Sequence, residues 1–162
     1  DLGTGSGAVA AVLAEQRPTW TGLALDRSAD ALAIARRNSP PSVALVCTDL
    51  LSGIKPGAGF DFLVSNPPYI SDDSMQTLDP SVRDWEPALA LRGGKHGTDF
   101  YEAIARDAPA RLAPGGRVYC EIGFDQGESV TAIFRGNRWT SVELIRDLAG
   151  RPRVVRAITK PE

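Results

Sequence analysis

Asp1-Leu2-Gly3-Thr4-Gly5-Ser6-Gly7 opens the chain, and its reading decides the fold. Leu2 reads as the last step of a strand, the three glycines as a turn, and the alanine-rich residues 7–16 as a helix with Val9, Val12 and Leu13 on one face. Glycine lets a backbone approach a ligand closely. The strand–turn–helix pattern then recurs. Residues 21–25 form a short apolar strand with Asp26 at its carboxyl end, and Ser28 caps a helix that runs to about Asn38, before Pro40-Pro41. Residues 43–47 are the next strand, ending at Thr48-Asp49-Leu50; a Gly/Pro loop, 53–59, leads to a strand at 60–64. Strands alternating with helices predict an α/β fold: a mostly parallel twisted sheet with helices on both faces. Ligands collect at the carboxyl ends of such strands, so the glycine turn, Asp26 and Asp49 are expected on one edge.

The strand at 60–64 runs into Ser65-Asn66-Pro67-Pro68-Tyr69-Ile70. Neither proline can donate to a sheet ladder, and each holds the residue before it out of the helical region. A stiff turn follows at a strand's carboxyl end, beside the other three candidates. The Asn66 side-chain oxygen and the Pro67 carbonyl are both acceptors, and together they can grip the two hydrogens of a planar NH2 group while Tyr69 lies against its face. Gripping both hydrogens directs the nitrogen's remaining electron density toward an electrophile opposite, which is catalysis by positioning.

Residues 71–97 show little periodicity and carry Asp72, Asp73, Asp79, Arg83, Asp84, Glu86 and Arg92. A connection this long in a compact domain suits a lid or substrate rim, or a solvated link. A helix is predicted over 98–113, with Phe100, Ile104 and Leu112 toward the core and Pro114-Gly115-Gly116 as its stop. A strand at 117–122 and a helix at 126–135 follow. The apolar runs 139–146 and 153–159 are joined too directly for a crossover helix, so they predict a C-terminal antiparallel hairpin.

With 162 residues, 43% hydrophobic and 23% charged, one globular domain is expected. A net charge of -2 without a basic run gives no support to a nucleic-acid substrate. Cys47 and Cys120 lie in apolar runs and are expected as buried free thiols, which accords with a reducing cytoplasm; no stretch matches a membrane span. One histidine, His96, and two separated cysteines match no zinc spacing, and His96 reads as an exposed loop residue. Because Asp1-Leu2-Gly3 reads as the end of a strand, most of that first strand is expected to precede Asp1 in a longer parent protein.

The glycine turn alone leaves the cofactor open. Gly3-x-Gly5-x-x-Ala8 also satisfies the dinucleotide fingerprint, with Asp26 near the ribose-binding offset. A hydride-transfer site has no use for an NH2 clamp, however. Asp1 to Gly7 together with Asn66-Pro67-Pro68-Tyr69-Ile70 resembles the class I S-adenosylmethionine-dependent methyltransferases of exocyclic and amide nitrogens. Val82-Arg83-Asp84-Trp85-Glu86-Pro87-Ala88-Leu89-Ala90-Leu91, Gly93-Gly94-Lys95-His96-Gly97-Thr98-Asp99-Phe100-Tyr101 and Leu148-Ala149-Gly150-Arg151-Pro152-Arg153-Val154-Val155 extend the similarity to one branch. That branch is the peptide chain release factor N5-glutamine methyltransferases, the HemK or PrmC family.

The resemblance implies a Rossmann-like class I methyltransferase domain over residues 1–162, without the family's N-terminal helical substrate-recognition domain. It implies S-adenosylmethionine as cofactor, with Asp1, Gly3, Thr4, Gly5, Ser6 and Gly7 around its methionine part. Asp26 would take the ribose, Asp49 and Leu50 would border the adenine, and Asn66 would face both cofactor and substrate. Asn66, Pro67, Pro68 and Tyr69 would hold a glutamine of a Gly-Gly-Gln tripeptide in a release factor, with Asn66, Pro67 and Tyr69 as the catalytic group. Two other readings stand beside it. A flipped adenine or guanine amino group of DNA or RNA fits the same clamp, and the domain could bind cofactor without activity of its own.

Overall fold

Leu2 sits between two strands and makes the sheet continuous. In the computed structural model, which describes residues 1–85 and 87–161, Leu2 bridges in parallel to Leu25 on one side and Ser65 on the other. Glu86, one of the charged residues of the long connection, lies outside the described residues. On the Leu25 side, β1 (Gly22–Asp26) pairs in parallel with β2 (Val43–Cys47). On the Ser65 side, β3 (Phe60–Ser65) pairs in parallel with β4 (Leu112–Glu121). The last strands, β5 (Trp139–Arg146) and β6 (Pro152–Thr159), form an antiparallel hairpin whose β6 arm pairs antiparallel with β4. The mostly parallel sheet closed by a direct hairpin is the architecture the sequence predicts.

Two connections carry the chain outward from Leu2 through α1 (Ala8–Gln16) and α2 (Ala29–Asn38). The chain then returns to β3 and builds in the opposite direction. After two one-turn helices, α3 (Pro80–Arg83) and α4 (Ala88–Leu91), come α5 (Asp99–Asp107) and α6 (Gly127–Arg135). Right-handed crossovers therefore put α1 and α2 on one face and α5 and α6 on the other. Side-chain alternation in β1 serves both faces. Ala24 packs with Ala10 and Val43 in a small cluster, whereas Leu25 joins the main core with Tyr101, Ile104, Val130 and Phe134. No helix among the described residues is long and apolar enough to cross a membrane.

Five local expectations are corrected. In α1 the inward residue is Ala10, which packs with Ala24 and Val43, while Val9 and Val12 are 41% and 56% exposed. Cys47 is exposed rather than buried, since β2 is the end strand and Cys47 is its last residue; Cys120, in the interior strand β4, is buried as expected. The helix expected over 98–113 stops at Asp107 and continues only as a single tight turn, Ala108–Ala110. Its inward face is Tyr101, Ile104, Ala105 and Ala108, so Tyr101 is fully buried and Phe100 only half so.

The expected stop at Pro114-Gly115-Gly116 lies inside β4. Register against β3 shifts there, from Phe60 opposite Leu112 to Phe62 opposite Arg117. The Thr159 hydroxyl reaches the carbonyls of Ala113 at 3.0 Å and Gly116 at 3.2 Å, so the irregular stretch keeps its polar groups paired.

Candidate active site

The carboxyl ends of β2, β1, the Leu2 segment, β3 and β4 fall on one edge of the sheet, because all of them run in parallel. Asp49, Asp26, the glycine turn, Asn66 and Gly123 follow these ends. All the residues that the sequence nominates are therefore brought to one edge. The central join is tight: the Leu2 amide donates to the Val64 carbonyl at 2.8 Å, and the buried Ser65 hydroxyl donates to the Leu2 carbonyl at 2.8 Å. Adjacent strands lie about 4.8 Å apart, so the glycine turn and the Asn66 turn leave the sheet side by side.

The glycine turn is built from within. One Asp1 carboxylate oxygen accepts from the Thr4 hydroxyl at 2.6 Å and from the Ala10 amide at 3.2 Å, so Asp1 and Thr4 tie the turn to α1. Asp26 does the same from the neighbouring strand, accepting from the Gly5 amide at 2.9 Å through one oxygen and from the Ser28 amide at 2.8 Å through the other. A carboxylate has about four acceptor positions, so Asp26 keeps room for hydroxyl donors. Gly3, Gly5 and Gly7 all have positive φ, at 67°, 55° and 83°. A Cβ on Gly3 or Gly5 would meet nothing within 4 Å, whereas one on Gly7 would lie 3.0 Å from Ala35 and from the Ser39 hydroxyl. Gly7 is thus needed for helix packing, and Gly3 and Gly5 leave an open cradle. Ser6 is exposed at the rim, where its carbonyl accepts from the Asn38 side-chain Nδ2 at 2.8 Å.

Beyond β2, Asp49 is exposed and Leu50 is half-buried with a φ of 45°. Leu50 is the sole non-glycine residue with positive φ among the described residues. Such a conformation costs a leucine about 1–2 kcal/mol and tends to persist where a site requires it.

The Asn66 turn has the stiffness its prolines predict. Pro67 is fully buried, Pro68 and Tyr69 are half-buried, and Tyr69 packs against the main core. Asn66 is exposed, and no protein group among the described residues hydrogen-bonds its side chain. The turn rests on the connection that follows it. The Ile70 amide donates to the Leu91 carbonyl at 3.0 Å, the Gly93 amide to the Ile70 carbonyl at 2.8 Å, and the Asp72 amide to the Gly94 carbonyl at 3.0 Å. A Cβ on Gly93 would come within 2.8 Å of the Pro68 carbonyl, so the two backbones are in contact. Arg92 pairs with Asp72 at 2.6 Å on the outside of this join and holds its carboxyl below the usual range. Residues 71–97 are thus partly an abutment for the turn, with short helical segments of their own.

Two contributors have no local sequence signal. Tyr101 donates to the Glu121 carbonyl at 2.9 Å, and burial pushes its phenol well above the usual range, so it is a fixed strut. Gln126, at the start of α6, reaches the Tyr69 carbonyl at 3.0 Å. His96 is exposed, as expected. Among the described residues no group of three His, Cys, Asp or Glu side chains is placed to hold a metal.

Residues 1–80 match the methyltransferase small domain family. Over 97% of its length the chain is 43% identical to a protein of Cereibacter sphaeroides named release factor glutamine methyltransferase. Over nearly its whole length the chain is similar to the release factor glutamine methyltransferases. A relative of the same name from Caulobacter vibrioides is 40% identical over 99% of the chain. The chain spans 58% and 57% of the length of these two relatives. Its fold matches that of a methyltransferase from Pyrococcus furiosus with a TM-score of 0.71, covering 98% of this chain and 73% of that chain, at 22% identity. The expected α/β methyltransferase architecture is thereby met by a solved structure of the same fold.

Proposed function

We propose that this domain transfers a methyl group from S-adenosylmethionine to the side-chain amide nitrogen of a glutamine in the Gly-Gly-Gln tripeptide of a peptide chain release factor. The observation that carries this reading is the side-by-side exit of two turns from the sheet edge at Leu2 and Ser65, one an open glycine cradle and the other a buried-proline turn presenting Asn66. The name carried by the relatives supplies the substrate class.

The residues fit the cofactor. Gly3 and Gly5 leave room for its methionine part, the spare acceptor positions of Asp26 suit ribose hydroxyls, and the Asp49-Leu50 bend suits the adenine edge. When bound, the cofactor supplies an electrophilic methyl group on a sulfonium. The chain's own residues do the rest by placement. The Asn66 side-chain oxygen and Pro67 carbonyl accept the two amide hydrogens, Tyr69 and Pro68 wall the group, and the nitrogen is left facing the cradle. The amide loses a proton as the new C–N bond forms, and the methylated amide is acidic enough to lose it to water. We place the reaction in the cytoplasm, in line with the exposed free thiol of Cys47.

The test offers methyl-labelled cofactor to the full-length protein, with release factors carrying Gly-Gly-Gln or Gly-Gly-Glu and an oligonucleotide as competitors. Label on the glutamine protein alone supports the reading. Label on the oligonucleotide replaces it with base methylation, and cofactor binding without label on either replaces it with a binding module.

A further inference from the structure

Gln126 joins three segments through one side chain, two of which also meet at the short Ile70–Arg92 bridge. Its Nε2 donates to the Tyr69 carbonyl at 3.0 Å and to the Gly97 carbonyl at 3.1 Å, while its Oε1 accepts from the Gly123 amide at 3.0 Å. Three of about four hydrogen-bonding positions of one carboxamide are filled by backbone groups. The segments are the exit of the Asn66 turn, the loop that abuts it, and the carboxyl end of β4. Gln126 is itself fixed, since its amide donates to the Gly123 carbonyl at 3.0 Å and its carbonyl accepts from Val130 at 3.0 Å in the first turn of α6. Val130 and Phe134 bury that helix in the core. Space around the amide is full: a Cβ on Gly97 would collide with the Tyr69 carbonyl and lie 2.9 Å from Gln126 Nε2.

We infer that Gln126 is a positioning residue for amide transfer, setting the angle of the Pro67-Pro68-Tyr69 turn through the Tyr69 carbonyl and the 93–97 loop. This inference rests on the methyl-transfer reading for its kinetic consequence and on the backbone contacts for its mechanical one. A main-chain carbonyl near the clamp has no other side-chain partner among the described residues, so removing the carboxamide frees the turn on the side where substrate is held. Misplacement of a reacting group by about 1 Å costs roughly 10²-fold in rate.

Glutamate is the informative replacement. It keeps the shape and the acceptor for Gly123, but as an anion it faces two carbonyl oxygens without a hydrogen to offer. Once protonated it regains a single donor.

The experiment compares full-length wild type, Gln126→Glu and Gln126→Ala by amide hydrogen exchange, by titration with S-adenosylhomocysteine, and by methyl transfer to a Gly-Gly-Gln release factor. Exchange at Ile70, Asp72 and Gly93 is expected to quicken about tenfold or more in both variants, with Leu63 and Val118 in the core strands unchanged. S-adenosylhomocysteine affinity should stay within about twofold while kcat for Gln126→Glu falls roughly 10²-fold. The Gln126→Glu deficit should shrink as pH is lowered, and the Gln126→Ala deficit should not. Unchanged exchange at those three amides overturns the inference whatever the reaction proves to be. A parallel loss of cofactor affinity and core protection also overturns it, since that marks general loosening. If wild type labels no glutamine substrate, the transfer reading falls and exchange alone decides the mechanical role of Gln126.

Discussion

The Ser65 hydroxyl donates to the Leu2 carbonyl at 2.8 Å inside the protein, and the next residues of both segments leave the sheet to form the two halves of the site. Ser65→Ala leaves that carbonyl without its partner, a loss of about 1–3 kcal/mol. Chemical denaturation should register the loss. If the two turns act as the proposed cradle and clamp, loosening this join should lower methyl transfer by more than cofactor affinity, which isothermal titration and single-turnover rates separate.

Asn66→Ala removes one of the two acceptors proposed to hold the amide, from a residue that is exposed. Stability and S-adenosylhomocysteine affinity are expected to hold, with transfer down about 10²-fold or more. Equal loss of binding and transfer would show that Asn66 serves the cofactor instead of the amide.

The glycines of the turn should separate by cause. Alanine at any of them meets a positive φ, which costs about 1–2 kcal/mol. Gly7→Ala adds contact with Ala35 and Ser39 and should lower Tm furthest. Gly3→Ala and Gly5→Ala meet no protein atom, so their added methyl enters the cradle and cofactor affinity should drop beyond what their smaller Tm shifts explain.

The two thiols predict a sharp contrast. Cys47 is exposed and should react with a disulfide reagent in the native protein, while Cys120 should react only on unfolding. Burial pushes the Cys120 thiol from 9.0 up to about 12. The folded protein keeps that proton where the unfolded chain has lost it, so the contribution is complete below about pH 9 and fades as pH rises through the interval to about 12. The Tyr101 phenol, also raised by burial, acts in the same direction. Urea midpoints should fall with pH above about 9, and Cys120→Ala should flatten the first part of that decline.

Much of this site could be read in the sequence because its parts are local. β2 falls where its apolar run predicts, and the Ser28 hydroxyl caps α2 by accepting from Ala31 at 3.2 Å. The double proline announces the stiff turn after β3. What escaped depends on partners distant in sequence. Nothing near Pro114-Gly115 reveals that Thr159 will satisfy an irregular strand there, so the stretch reads as a helix stop. Leu50 carries no mark of its left-handed backbone, which follows from the path between β2 and the core. Gln126 looks like any polar residue at a helix start, and its meaning lies in two carbonyls 57 and 29 positions away. The phase of a short helix is equally non-local, as the exchange of Phe100 for Tyr101 shows.

Beyond Leu2 the inner edges of β1 and β3 are joined by no further bridge, and an apolar cleft between them is lined by Ala10, Leu13, Trp20, Leu23, Phe62 and Leu63. Trp20 leans across it, its ring 5.2 Å from that of Phe62. The indole therefore supplies a native optical signal: loosening β1 from β3 parts the two rings and changes the colour and polarisation of Trp20 emission, so the integrity of this part of the sheet can be followed by light.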